Sequence, residues 1–175
     1  PVNEYGQMIG ESMEGYTPGE LPSIDFLEGR YARVEALSVD KHAEDLLAVY
    51  GPDTPREMWT YLFQEPVADM EELVAVLNQM LARKDCFYYA IVDKETSKAL
   101  GTFSLMRIDQ NNRVIEVGAV TFSPELRGTR IGTEAQYLLA RYVFEELNYR
   151  RYEWKCDALN LPSRRAAERL GFIYE

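Results

Sequence analysis

Two short stretches carry the residues best able to do chemistry. The first runs Ser123-Pro124-Glu125-Leu126-Arg127-Gly128-Thr129-Arg130-Ile131-Gly132-Thr133-Glu134-Ala135. An apolar run precedes it and a helical pattern follows, so a strand gives way to a turn and then to a helix. The first N–H groups of a helix lack intrahelical partners and lie at the positive end of its dipole. Glycines let a pyrophosphate approach those groups closely, and Arg127 and Arg130 can add charge-assisted bonds. The alternative is an ordinary capped turn with solvent-exposed arginines. The segment is not a Walker loop, because it lacks the Gly-Lys-Ser/Thr ending, and it lacks the third glycine of the dinucleotide fingerprint. The second stretch runs Asp157-Ala158-Leu159-Asn160-Leu161-Pro162-Ser163-Arg164-Arg165-Ala166-Ala167-Glu168-Arg169-Leu170-Gly171-Phe172. Taken alone it is a capped helix, with Asn160 as the cap.

Glu116 is the third feature. If Val114 to Phe122 is a regular strand, Val114, Glu116, Gly118, Val120 and Phe122 share one face. A carboxylate among apolar neighbours is costly to bury without a partner or a purpose. Glu116 is therefore a candidate general base, acting directly or through water. An ion pair with Arg107 or Arg113 is the other reading. Trp59, Tyr61 and Phe63 form an aromatic group that can line a site, stack on a cation or simply pack. Trp154 reads as packing.

The elements that must position these residues follow from pattern. Residues 1–27 are rich in Gly, Pro, Glu and Ser and read as an extended arm. A domain over 28–175 opens with a strand from Arg30 to Leu37 and a helix, capped by Ser38 or Asp40, to Tyr50. Glu57 to Phe63 is a short helix or loop. Asp69 to Lys84 is amphipathic, with Leu73, Val74, Leu77, Met80 and Leu81 on one stripe. Phe87–Val92, Ala99–Ile108 and Val114–Phe122 read as an antiparallel meander. A helix from Arg130 to about Asn148 buries Ile131, Ala135, Leu138, Leu139, Tyr142 and Val143. A strand over Arg150–Cys156, a helix ending at Gly171 and the start of a strand at Phe172–Glu175 complete the order. The fold class is α/β, a mixed sheet with a parallel element at its centre.

Composition narrows the function. The 175 residues suit one domain with a short extension, and the net charge of −10 disfavours a nucleic-acid partner. Residues 1–100 hold 19 acidic and 8 basic side chains, whereas 101–175 hold 10 and 11. The near-neutral part suits an anion and the acidic part a cation; solubility alone is the plainer reading. No apolar run approaches the ~18 residues of a membrane span. The start at Pro1 lacks a signal-peptide pattern, so a cytoplasmic location is expected. Two cysteines, Cys86 and Cys156, read as reduced core thiols. With one histidine, His42, neither a histidine-clustered metal site nor a Ser-His-Asp triad is supported, and no metal is expected.

Arg-x-x-x-x-Gly at a strand–helix turn, then Asn-x-x-Ser and Leu-Gly-Phe some thirty residues later, resembles the GNAT N-acetyltransferases. Ile-Glu-Val-Gly before the turn and Thr-Glu-Ala after it resemble the branch that contains the ribosomal-protein N-terminal acetyltransferases. The resemblance spans about residues 29–175. It implies the acyl-CoA N-acyltransferase fold and acetyl-CoA as co-substrate, with the pyrophosphate in the turn of Arg127, Gly128, Thr129, Arg130, Ile131, Gly132 and Thr133. It also implies that the pantetheine arm lies along the backbone of Val120, Thr121 and Phe122, and that Asn160 contacts that arm. Ser163 lies near the thioester sulfur in some relatives. Trp59 and Tyr61 fall where relatives place the acceptor cleft. The oxyanion donor would be a backbone N–H near Val120.

Three departures from the family pattern stand out. Arg130 replaces the middle glycine of the turn and would be strained if that position needs φ > 0. Ala167 replaces a tyrosine that serves many relatives as general acid, which leaves Ser163 or water to protonate the thiolate. Relatives usually continue past Gly-Phe with two further strands, so the domain is expected to lack its last strands. The leading expectation is transfer of acetyl to a primary amine, on a peptide N-terminus or a small cationic molecule, by direct attack in a ternary complex. A non-catalytic acyl-CoA-binding or regulatory module is the alternative, and an interaction domain without cofactor a third. No nucleic acid or membrane partner is expected; relatives often pair as homodimers.

Overall fold

A computed structural model describes all 175 residues. Six strands form one sheet in sequence order: β1 (Phe26–Glu28), β2 (Ala32–Ala36), β3 (Phe87–Asp93), β4 (Ala99–Asp109), β5 (Val114–Phe122) and β6 (Arg151–Trp154). The first five pair antiparallel, and β5 and β6 pair parallel. The parallel pair thus closes one end of the sheet instead of occupying its centre. Two helices cover one face: α1 (Val39–Tyr50) and α2 (Met70–Ala82), with a 3₁₀ turn at Arg56–Trp59 between them. Leu46, Leu73 and Leu77 are fully buried there. The other face carries α3 (Arg130–Arg141), continued by one π turn at Tyr142–Glu146. Its stripe of Ala135, Leu138, Leu139, Tyr142 and Val143 packs on Ile115, Val117 and Phe103, as its 3.6-residue period requires. The last helix, α4 (Leu161–Arg169), has no buried residue. No helix is long and apolar enough to cross a membrane.

Several elements differ from the sequence pattern. The expected first strand is β2, and an unexpected strand, β1, precedes it, because Gly29-Arg30-Tyr31 turns the chain back and β1 pairs with β2. The sheet therefore claims Phe26 and Leu27 from the expected arm. Earlier arm residues are strapped down: Gly19 N–H donates to Gln110 O, and Tyr149 Oη donates to Glu20 O. Residues 172–175 form no strand. The Phe172 N–H caps α4 at Ala167 O, and the Phe172 ring packs on Tyr152 and Trp154. Cys86 is buried, but Cys156 is exposed, because β6 stops at Trp154 and leaves it in a loop. His42 is buried in the first turn of α1, where Nδ1 accepts the Ser38 N–H and Nε2 faces Glu35 at 3.2 Å.

Two β-bulges set the geometry of the site. Thr102 pairs with Thr121 but Ser104 pairs with Gly118, so β5 holds an extra residue, and Ala119 sits there at φ 49°. Met106 pairs with Glu116 but Asp109 with Val114, so β4 holds the other, with Arg107 at φ 46°. The bulge at Ala119 reverses the alternation. Glu116 shares the α1–α2 face with its partner Met106, and Ala119 packs on that side too. Val120 and Phe122 pack on the α3 side. The expected single face for Glu116, Val120 and Phe122 is therefore broken between residues 118 and 120.

Candidate active site

The turn after β5 is built by its own side chains. Ser123 Oγ accepts the Leu126 N–H, and Thr129 Oγ1 caps α3 by accepting the Gly132 N–H at 3.2 Å. Gly128 takes the positive φ, 70°, with open space around its Cα. Arg130 is the first residue of α3 and has no positive φ, so the expected strain is absent. Gly132 serves packing: a Cβ there would stand 3.0 Å from Leu126 O and 3.2 Å from Phe122 Cε2. The backbone N–H groups of Gly128, Arg130 and Ile131 donate to no protein acceptor. The side chains of Arg127 and Arg130 make no hydrogen bond or ion pair, though Arg130 lies 4.1 Å over the Tyr31 ring. Free donors at a helix start flanked by unpaired guanidiniums are able to receive an anion.

A gap opens beside that turn. Parallel pairing of β5 with β6 runs from Val114↔Arg151 to Val117↔Trp154 and stops. No strand pairs residues 118–122 on the side away from β4. This backbone edge is available to an extended ligand, in the manner of strand addition. Val120 and Phe122 are half-buried and Thr121 is buried, so it is the backbone of these three that faces the gap's chemistry. Across the gap, Asn160 Oδ1 caps α4 by accepting the Ser163 N–H. Asn160 Nδ2 has no protein acceptor, which leaves an amide donor free beyond the cap. The Trp154 indole N–H donates to Ser163 Oγ at 3.0 Å. Indole is donor-only, so Ser163 must accept from it and its own hydroxyl hydrogen remains available.

The structure separates the expected aromatic group. Trp59 is buried in the α1–α2 core, packed on Tyr50 with its N–H on Thr54 Oγ1. Tyr61 is half-exposed, and its hydroxyl donates to Leu159 O at 3.3 Å, bridging the segment after the 3₁₀ turn to the loop before α4. Phe63 is fully exposed.

Glu116 is buried and carries two cations. Arg107 Nη1 donates to both its oxygens at 2.6 and 2.8 Å, and Lys155 Nζ to Oε2 at 2.7 Å. The Arg107 partner is the one the sequence left open; Arg113 instead donates to Thr17 and Asn148. Burial alone would lower the Lys155 ammonium, but Glu116 and Glu153 outweigh it and hold its pKa above the usual range. The bulge at Arg107 explains the pairing, since an αL residue in β4 re-aims the side chain toward β5. Sequence inspection could not find Lys155, because β6 places it only through the parallel register.

The parallel pairing of β5 and β6 stops short of a turn rich in free donors, an arrangement that suits an extended, anionic ligand. Comparison with known proteins gives the family. The family model described as acetyltransferase (GNAT) domain matches residues 34–173. The crystal structure of a GCN5-related N-acetyltransferase from Brucella melitensis superposes with a TM-score of 0.89. It is 40% identical, over 93% of this chain and 74% of that one. The uncharacterized N-acetyltransferase p20 of Bacillus licheniformis is 28% identical over 134 residues, 75% of this chain and 74% of its own. The chain belongs to the GNAT acetyltransferase family, whose members transfer acetyl from acetyl-CoA.

Proposed function

We propose that this enzyme acetylates a primary amine of modest basicity, a peptide N-terminus or a small cationic amine, by direct attack in a ternary complex. The observation that carries the reading is the gap between β5 and β6 running into a turn with three free N–H groups and two unpaired arginines. In this reading Arg127, Gly128, Thr129, Arg130, Ile131, Gly132 and Thr133 hold the pyrophosphate of acetyl-CoA, chiefly through the free N–H groups. The edge of Val120, Thr121 and Phe122 and the Asn160 amide hold the pantetheine arm. The amine nitrogen attacks the thioester carbon, the C–S bond breaks, and the nitrogen gives up its extra proton to solvent water. Backbone N–H at the bulge suits the developing oxyanion. Ser163 is placed to give its free hydroxyl hydrogen to the departing sulfur and to be reprotonated by solvent.

Both Glu116 oxygens are already occupied by Arg107 and Lys155, so the carboxylate is poorly placed to take a proton from the amine. The site therefore favours an amine that is already neutral at working pH. An α-amino group has a pKa near ~7.8, while a lysine near ~10.4 costs about 4 kcal/mol to deprotonate at neutral pH. Tyr61, with Leu159, lines the acceptor side; Trp59 supports it from the core. The test is thiol release from acetyl-CoA with matched peptides bearing a free α-amine or only a lysine ε-amine, alongside small polyamines. Faster release with α-amines or with low-pKa small amines is expected at pH 7. Fast transfer confined to lysine ε-amines would refute the acceptor class, and release with no amine at all would refute transfer.

A further inference from the structure

One cavity of about 560 Å³ opens from the turn at the start of α3: it shares Gly128, Thr129, Arg130 and Thr133 with that turn and adds Tyr31, Glu134, Tyr137 and Arg169. No residue of the unpaired β5 edge, nor Asn160 or Ser163, lines it. Its one acid is committed elsewhere. Glu134 accepts the backbone N–H groups of Arg30, Tyr31 and Ala32 at 2.8, 2.6 and 2.7 Å. Burial would raise this carboxyl, but the three N–H groups outweigh it and hold its pKa below the usual range. The clamp fits the β1–β2 turn tightly onto α3: a Cβ on Gly29 would stand 2.5 Å from Glu134 Cδ. The clamped turn presents the Tyr31 ring to the Arg130 guanidinium, 4.1 Å from the ring centroid. A guanidinium over an aromatic face is attracted to it and is thereby fixed before any ligand arrives. Neither Arg130 nor Arg169 has an acidic partner, so two free cations face one cavity.

We infer that Tyr31, Arg130 and Arg169 form a receptor for a phosphomonoester on the nucleotide end of the acyl donor, with Glu134 as the positioning residue that fixes Tyr31 beneath Arg130. The inference rests on the proposed function. There, the turn's N–H groups hold the pyrophosphate and the acyl arm runs along β5 into the gap. The nucleotide must then leave on the other side of the turn, where this cavity lies. Coenzyme A carries one phosphate beyond its pyrophosphate, on the 3′ oxygen of the ribose. A phosphomonoester is close to doubly charged at neutral pH, which suits two guanidiniums.

Titration calorimetry of the full chain with CoA and with dephospho-CoA, which lacks only that phosphate, tests this. The wild-type chain is expected to bind CoA about tenfold more tightly than dephospho-CoA, the worth of one charge-assisted contact. Arg130→Ala brings the ratio close to one by weakening CoA more than dephospho-CoA, which keeps the pyrophosphate but lacks the phosphomonoester. Tyr31→Leu and Glu134→Gln keep the Arg130 charge but free its side chain, and narrow the ratio to about threefold. Tyr31→Phe keeps the ratio, because the ring face remains. A purely structural role would weaken both ligands alike and leave the ratio unmoved. Tyr31→Leu carries the test if Glu134→Gln does not fold. A wild-type ratio near one, or a ratio untouched by Arg130→Ala, overturns the inference while CoA binding stands. Failure of the wild-type chain to bind either ligand overturns the proposed function with it.

Discussion

At Glu116 both carboxylate oxygens lie within hydrogen-bond reach of a cation, and the side chains of Arg107 and Lys155 are 61% and 51% exposed. Removing the charge therefore leaves two cations that water can solvate, not two buried ones. Glu116→Gln is expected to lower stability by roughly 1–3 kcal/mol, less than the loss for a fully buried pair. If Glu116 were the proton acceptor, the same change would cost roughly 10²–10⁴ in kcat. We expect a lower denaturant midpoint with kcat within about tenfold of wild type. A collapse of kcat with the midpoint unchanged would restore the base role. Glu134 makes a different kind of prediction. Its folded pKa is held below the ordinary value of 4.5, so the clamp's contribution is fully present above that pH and is lost as pH falls through the lower folded value. In acid titrations followed by circular dichroism, Glu134→Gln is expected to start less stable and to lose less between pH 5 and 3. An acid limb parallel to wild type would show that Glu134 plays no part in it.

The bulges illustrate what a strand pattern can and cannot announce. The stripes of α2 and α3 and the spans of β3, β4 and β5 were legible, because apolar residues repeat at the helical or strand period over nine or more residues or between clear turns. The cap at Asn160 and the turn at Gly128 were legible as residue types with local chemistry. β1 was not, since three residues are too few to show alternation. Nor was Ala119: an alanine at φ 49° carries no mark that a glycine or asparagine would, and strict alternation then grouped Glu116 with Val120 and Phe122. Trp59 and Trp154 were similarly ambiguous, because burial depends on which elements close over them. The bulge itself is testable. Ala119→Gly removes the left-handed cost and is expected to be neutral or stabilising. Ala119→Val adds a branched Cβ at positive φ and is expected to cost about 2 kcal/mol and to weaken acetyl-CoA binding with it. Wild-type stability and binding in Ala119→Val would mean that the strand does not need the bulge.

Across the whole molecule, the acids are unevenly spread along the chain. Residues 1–100 are strongly acidic, while three arginines without a hydrogen-bonded or ionic partner, Arg127, Arg130 and Arg169, lie at one turn and the cavity beside it. An anion bound there joins β5, α3 and the β1–β2 turn, elements otherwise held together by the core, the Glu134 clamp and the Arg130–Tyr31 contact. Its binding energy should therefore appear as global stability and not as local ordering. Acetyl-CoA at about 100 times its Kd adds about 2.7 kcal/mol to the folded state, and for a domain this size that raises Tm by roughly 5–10 °C. Because much of the attraction is between charges near the surface, the shift should shrink as salt rises from about 0.05 to 0.5 M, where the screening length falls from roughly 14 to 4 Å. Arg127→Ala combined with Arg130→Ala should remove most of the shift while leaving the ligand-free Tm within a few degrees, since neither side chain bonds to the rest of the protein. A full shift in the double variant would place the anion elsewhere. A ligand-free Tm that collapsed in it would show that these two arginines, bare of hydrogen-bonded partners, hold the fold together by a route the geometry does not contain.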